Sequence, residues 1–221
     1  MGDFVYTCSS IGIDKLLFVR HANAEPSVSG TPSRKEAPHD WKRSDQMRPL
    51  SKRGKAQCSE KRGLLKGLEI RINLSSPARR ASETAALMTI EGGGEISLRM
   101  VESLHPAGMS DLCEDLFDEL GYGPLQRFFG MERGREAFVE YGRRVCEEMD
   151  VKVGGPGVGS LHGDTMAVFG HAVFINAVAL VAATEWGISN AEDILQYDLE
   201  EGDAILVDKR NNRVEYLHAD A

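Results

Sequence analysis

Short runs of consecutive apolar residues alternate along the chain with longer stretches in which apolar positions recur every three or four residues. The runs at 15–19 (KLLFV), 69–74 (EIRINL), 96–101 and 165–169 (TMAVF) predict strands, the first of them buried. Helical spacing predicts a helix from an N-cap at Ser51 to about Gly67, with Ala56, Leu64, Leu65 and Leu68 along one face. Pro77 suits the first turn of a second helix carrying Ala81, Thr84, Ala85 and Leu87. Further helices are predicted at 110–120, at 135–149 through Phe138, Tyr141 and Val145, and at 172–183, which is apolar enough to be buried. Segments 204–207 and 214–217 around Asn211-Asn212 predict a hairpin.

Three segments break the pattern. Residues 25–47 turn to Pro, Ser, Lys and Asp without period and predict a long surface loop of the kind that forms a lid or stays disordered. Residues 121–134 carry Gly, Pro and the pair Phe128-Phe129, and residues 154–163 hold five glycines and a proline, a flexible connection. Strand and helix otherwise alternate, which predicts an α/β fold: a three-layer α/β/α sandwich with a mostly parallel central sheet. The expected organisation is a single domain over 1–221 with insertions near 25–47 and 121–135.

Composition narrows the function classes. The chain has 221 residues, with 34 Asp and Glu against 26 Lys and Arg, a net charge of -8 that repels a phosphate backbone, so no nucleic-acid partner is expected. The longest apolar candidate, 172–183, is interrupted by Asn176 and stops at Thr184-Glu185, short of the roughly 20 residues a bilayer span needs. The N-terminus lacks the basic start and apolar stretch of a signal peptide, and although Met1-Gly2 opens like a myristoylation signal, Tyr6 stands where Ser or Thr is required and Thr7 comes one place late. Cys8, Cys58, Cys113 and Cys146 are far apart and form neither a CxxC pair nor a zinc spacing, which predicts reduced thiols, a cytoplasmic location and no metal or other cofactor.

The candidate chemistry sits at strand ends. Two strands finish alike, in Val19-Arg20-His21-Ala22 and Phe169-Gly170-His171-Ala172, and in an open α/β sheet the carboxyl ends of strands face the ligand crevice. A third junction, Ser76-Pro77-Ala78-Arg79-Arg80-Ala81-Ser82-Glu83-Thr84-Ala85, puts arginines in the first turn of a helix. There the dipole disfavours a cation, so a compensating anion or a solvent-facing rotamer is needed; free N–H groups with an arginine fork suit phosphate.

These residues resemble the histidine phosphatase superfamily, also called phosphoglycerate mutase-like. Arg20-His21-Ala22 stands where that family has Arg-His-Gly, Ser76-Pro77-x-x-Arg80-Ala81-x-x-Thr84-Ala85 matches its second motif, and Gly170-His171 its last. Met47-Arg48-Pro49-Leu50-Ser51-x-x-Gly54 further resembles the small phosphohistidine phosphatase branch. The resemblance makes His21 the nucleophile, surrounds the phosphate with Arg20, Arg80 and His171, and adds Arg48 as a fourth contact. Neutral imidazole is a good nitrogen nucleophile, guanidinium charge disfavours its protonation, and the same charge stabilises the equatorial oxygens without a metal. Arg79 is read as surface.

Ala22 replaces the usual Gly and requires an ordinary backbone conformation there. The family places a general acid after the third strand, where Val101-Glu102-Ser103-Leu104-His105 offers Glu102, of the usual acidic type, and His105. The implied activity is a metal-independent phosphatase acting on a phosphomonoester or phosphohistidine through a phosphohistidine intermediate, with a phosphorylated small molecule or a phosphohistidine protein as partner. A phosphomutase of the same fold and a phosphate-binding regulator with little turnover are the alternatives. The insertions at 25–47 and 121–135 are candidates both for covering the site and for forming an interface.

Overall fold

The computed structural model describes residues 13–31, 33–89, 97–108, 111–154 and 164–219. The predicted features at Met1-Gly2, Tyr6, Thr7 and Cys8 and most of the glycine-rich connection lie outside these residues. The strands are β1 (Lys15–Arg20), β2 (Ile70–Ser75), β3 (Leu98–Met100), β4 (Thr165–Gly170), β5 (Ala204–Asp208) and β6 (Arg213–Leu217). They form one sheet in the order β3-β2-β4-β1-β5-β6. The pairs β3-β2, β2-β4 and β4-β1 are parallel, whereas β5 runs antiparallel to β1 and closes the hairpin with β6. The sheet is thus mostly parallel, as the alternation of strands and helices predicts.

Strand side chains alternate between faces, and both faces are covered. Leu16 and Phe18 of β1 join Met166 and Val168 of β4 in one buried cluster, and Leu17 and Val19 join Ala167 and Phe169 in a second. On the first side lie α6 (Glu132–Val153) and α7 (Phe174–Glu185), on the second α2 (Lys52–Lys61) and α3 (Arg79–Thr89). Helices α6 and α7 approach closely at Gly142, where a Cβ would meet the Ala177 carbonyl oxygen at 2.8 Å. Three further helices are α1 (Pro38–Met47), α4 (Asp111–Leu120) and the single turn α5 (Gln126–Phe129).

Several boundaries differ from the sequence reading. The segment predicted as a loop over 25–47 contains α1, which opens on Pro38 and buries only Asp45. It has no apolar stripe for a periodicity argument to find, because polar contacts hold it in place. The helix expected from Ser51 to Gly67 ends at Lys61 and continues as a 3-10 turn, Arg62–Leu65. Phe128 is fully buried and packs on Phe117 and Phe138, with ring centroids 4.9 and 5.0 Å away, so this half of the Phe128-Phe129 pair belongs to the core. Cys58 and Cys146 are buried thiols, and burial pushes the Cys58 thiol up to about 11. Among the described residues no helix is long and apolar enough to cross a membrane.

Candidate active site

Sheet register assembles the site. Arg20 pairs with Gly170 and Ser75 with Phe169, so β1, β2 and β4 end level with one another. His21, Ser76 and His171 follow at once; His21 N–H donates to the Gly170 carbonyl at 2.9 Å and Ser76 N–H to that of Phe169 at 2.9 Å. Pro77 and Ala78 lead into α3, whose second residue is Arg80. Thr84, one turn further on, accepts from Ala22 N–H at 3.1 Å while its hydroxyl donates to the Arg80 carbonyl at 2.7 Å. Ala22 has no positive φ, so the residue that stands in place of Gly is accommodated without strain.

The same edge carries Arg48. Ser51 caps α2 by accepting from Gly54 N–H at 3.0 Å, and it donates to Asn23 Oδ1 at 2.6 Å. A Cβ on Gly54 would lie 2.0 Å from the Asn23 carbonyl oxygen, so only glycine lets α2 dock against the residues after His21. Arg48, just before the Pro49-Leu50-Ser51 stretch, donates through Nε to the Glu25 carbonyl at 2.9 Å and through Nη1 to Asp45 Oδ1 at 3.0 Å.

Hydrogen bonds fix the imidazole tautomers. His21 Nδ1 lies 2.7 Å from the Ala22 carbonyl and must donate, while Nε2 accepts from Arg80 Nε at 3.2 Å. His171 Nδ1 accepts from Arg80 Nη2 at 3.2 Å, so its Nε2 donates to Ser76 Oγ at 3.0 Å. Both rings are neutral. Burial, then the Arg80 charge and those of Arg20 and Arg48, lowers His21 to about 3; burial and Arg80 likewise hold His171 well below the ordinary histidine value. Ring centroids of His21 and His171 are 5.0 Å apart, edge to face.

These groups open into a cavity of about 520 Å³ lined by Arg20, His21, Arg48, Arg80 and His171 together with Arg34, Trp41, Asp45, Phe117, Tyr122, Tyr197 and Asp198. Arg20 donates through Nη1 to the Leu199 carbonyl, and its Nε is buried with no hydrogen-bond partner among the described residues. Val173, also on the wall, has φ of 61°, a strained conformation for a β-branched residue. Segment 25–47 supplies Arg34, Trp41 and Asp45, and the 121–135 segment supplies Tyr122 and Gly123, so both segments reach the cavity.

The structure therefore brings together His21, Arg20, Arg48, Arg80 and His171, and leaves two predicted residues elsewhere. Glu102 opens a 3-10 turn, is exposed, and does not line the cavity; its N–H donates to Glu148 Oε1 at 2.8 Å. The turn curls the chain directly after β3 and sends His105 inward instead, fully buried behind Asp45. Arg79 is half exposed and pairs with Glu83 at 2.7 Å. Asp45 was not foreseen, because an acidic residue in a polar segment without period carries no sequence signal. Among the described residues no three His, Cys, Asp or Glu side chains gather as a metal site.

Comparison with known proteins places the chain in a family and a fold. The family model for the histidine phosphatase superfamily (branch 1) matches residues 16–201. An alpha-ribazole phosphatase from Shigella flexneri is 17% identical, with a TM-score of 0.52 over 93% of this chain and 96% of that one. A phosphoserine phosphatase from Entamoeba histolytica, solved with 3-phosphoglyceric acid, is 15% identical, with a TM-score of 0.53 over 93% and 97%. A protein from Agrobacterium tumefaciens provisionally named phosphohistidine phosphatase SixA is 15% identical, with a TM-score of 0.51 over 94% and 99%. At these identities the likeness is one of fold. No curated protein sequence matches the chain. By its family match over 16–201, the chain belongs to branch 1 of the histidine phosphatase superfamily, and its enzyme class is that of the phosphatases.

Proposed function

We propose that the chain hydrolyses a phosphomonoester or phosphohistidine by carrying the phosphoryl group on His21 Nε2, with no metal. The observation that carries this reading is the tautomer: Nδ1–H is committed to the Ala22 carbonyl, so the lone pair sits on Nε2, beside Arg80 and His171. In the first step Nε2 forms a bond to phosphorus as the bond to the leaving group breaks, and the leaving atom takes the electron pair. Arg20, Arg48 and Arg80 donate to the oxygens, His171 joins them when its Nδ1 takes a proton from a monoanionic ester, and guanidinium groups set for developing charge supply most of the stabilisation in phosphoryl transfer. The Ala22 carbonyl meets the Nδ1–H of the phosphorylated ring, which becomes more acidic as the ring gains charge. Water then attacks phosphorus, the P–N bond returns its pair to Nε2, and inorganic phosphate leaves.

Glu102 and His105 were the expected proton donors, and neither lines the cavity. Asp45 lines it but is ion-paired with Arg80 and Arg48. This favours leaving groups that depart with little protonation, of which the imidazole of phosphohistidine is one and an alkoxide is not. It equally favours the second reading, a phosphate-binding regulator of low turnover. The substrates considered are a phosphorylated small molecule or a phosphohistidine protein; the buried thiols of Cys58 and Cys146 suit a reducing compartment such as the cytoplasm.

Rapid quench with p-nitrophenyl phosphate followed by intact-mass measurement tests the reading. One added phosphoryl group on the wild type, absent in His21→Ala, together with sustained phosphate release that a chelator leaves unchanged, is the expected result. Turnover at near the wild-type rate by His21→Ala would overturn it, and tight phosphate binding without turnover would establish the regulator.

A further inference from the structure

Asp45 takes no part in the bond changes above, yet it holds Arg80 on a side that the phosphoryl group does not use. Its Oδ2 accepts from Arg80 Nη2 at 2.8 Å, and its backbone carbonyl accepts from Arg80 Nη1 at 2.6 Å. A guanidinium group has two edges that donate in pairs. The end-on edge, Nη1 with Nη2, is given to Asp45. The side-on edge, Nε with the other hydrogen of Nη2, is turned to His21 Nε2 and His171 Nδ1, at 3.2 Å each. A phosphoryl group received between the two imidazoles meets the side-on edge.

His105 stands behind this clamp. Ala107 N–H donates to His105 Nδ1 at 3.0 Å, which leaves the proton on Nε2, and Nε2–H donates to Asp45 Oδ2 at 3.0 Å. Arg48 Nη1 holds the other carboxylate oxygen at 3.0 Å. We propose that Asp45 is a positioning residue, seconded by His105, which grips Arg80 by its end-on edge and so keeps the side-on edge facing the phosphoryl group. The proposal rests on the phosphoryl-transfer reading for its purpose, and on this geometry for its substance. Arg80 is 4% exposed, and a buried guanidinium without a carboxylate partner would pay its full desolvation cost or swing out. Burial alone would raise the Asp45 carboxyl, but the His105 hydrogen bond and the Arg80 charge outweigh it and keep the group ionised.

Asp45→Asn, His105→Ala and His105→Gln test the clamp, because the Gln amide N–H reaches where Nε2–H stood. Misplacing a catalytic group by about 1 Å costs on the order of 10²-fold. Asp45→Asn is therefore expected to lower kcat by roughly 10- to 100-fold on p-nitrophenyl phosphate and on an alkyl phosphate alike, since positioning, unlike proton donation, is indifferent to the leaving group. His105→Ala should show a smaller loss of the same kind, and His105→Gln should recover most of it. In an Arg80→Lys background, Asp45→Asn should add no further loss, because residues that act as one unit are non-additive.

A readout independent of turnover is NMR of the Arg80 Nη–H groups, resolved and slowly exchanging in the wild type and averaged in Asp45→Asn. A wild type without turnover whose Arg80 signals behave in this way would sink the phosphatase reading while supporting the clamp. Wild-type kcat in Asp45→Asn, with or without tighter inhibition by inorganic phosphate, would overturn the clamp. If Asp45→Asn does not fold, equal losses from His105→Ala and His105→Gln overturn it in its place.

Discussion

His21 and Arg80 show how neighbouring positions can differ wholly in kind. Because burial and three arginines lower His21 to about 3, it stays neutral wherever a phosphate ester is dianionic, and its Cε1–H resonance is expected not to titrate between pH 5 and 8. The same shift makes stability depend on pH. Between about 3 and 6.5 the unfolded chain binds a proton at this position that the folded chain does not, so stability rises with pH through that window and is complete above 6.5. Thermal melts from pH 6.5 downward should show a falling midpoint, with a shallower slope in His21→Ala. A second contrast is Arg79 against Arg80. Exposed ion pairs are worth about 0–1 kcal/mol, so Arg79→Ala should change stability by no more than that and phosphate release little. Arg80→Lys loses the two-edged fork and should abolish most activity in the same assay. Adjacent arginines cannot be ranked by composition; only the resemblance to a family motif selected Arg80 beforehand.

At the scale of elements, the segment from Arg48 to Gly54 is a docking device. Ser51 and Gly54 hold α2 against Asn23, and that contact places Arg48 at the strand ends. Gly54→Ala would press a methyl group onto backbone, a kind of overpacking that costs about 1–3 kcal/mol. Denaturant unfolding should register that loss, and KM for p-nitrophenyl phosphate should rise as Arg48 shifts. Helix α1 was invisible to periodicity for a physical reason: a helix anchored through one buried carboxylate and an aromatic ring needs no apolar face. Helix α3, which buries one face against the sheet, was legible because burial imposes the period, and α7, buried from Phe174 to Ala183, because its run is apolar almost throughout.

Across the whole molecule, the cavity wall is an extension of the core. Phe117 lines the cavity and packs with ring centroids 5.3 Å from Phe174 and 4.9 Å from Phe128, so the segment that carries Phe128 props the wall from behind. Truncating a fully buried Phe typically costs about 3–5 kcal/mol, and Phe128→Ala is expected to lose that much in urea unfolding. It should also weaken discrimination between bulky and small phosphate esters, measured as a ratio of kcat/KM. A stability loss with the ratio unchanged would separate the core from the wall.

The order of the strands and of the helices other than α1 and α5, the parallel character of the sheet and the strand-end positions of His21 and His171 were determined by sequence alone, because they rest on local periodicity and on punctuation by Gly, Pro and Ser. Family resemblance added which residues to set around a phosphate. Only the tertiary structure decided that Asp45, from a segment read as a loop, joins Arg80 and His105, and that Glu102 stays outside the cavity. The reason is one of range. Periodicity reports what a residue does within its own element, whereas the partners of Arg80 lie 35 positions before it in Asp45 and 91 positions after it in His171, and register between strands and the curl of one 3-10 turn choose them.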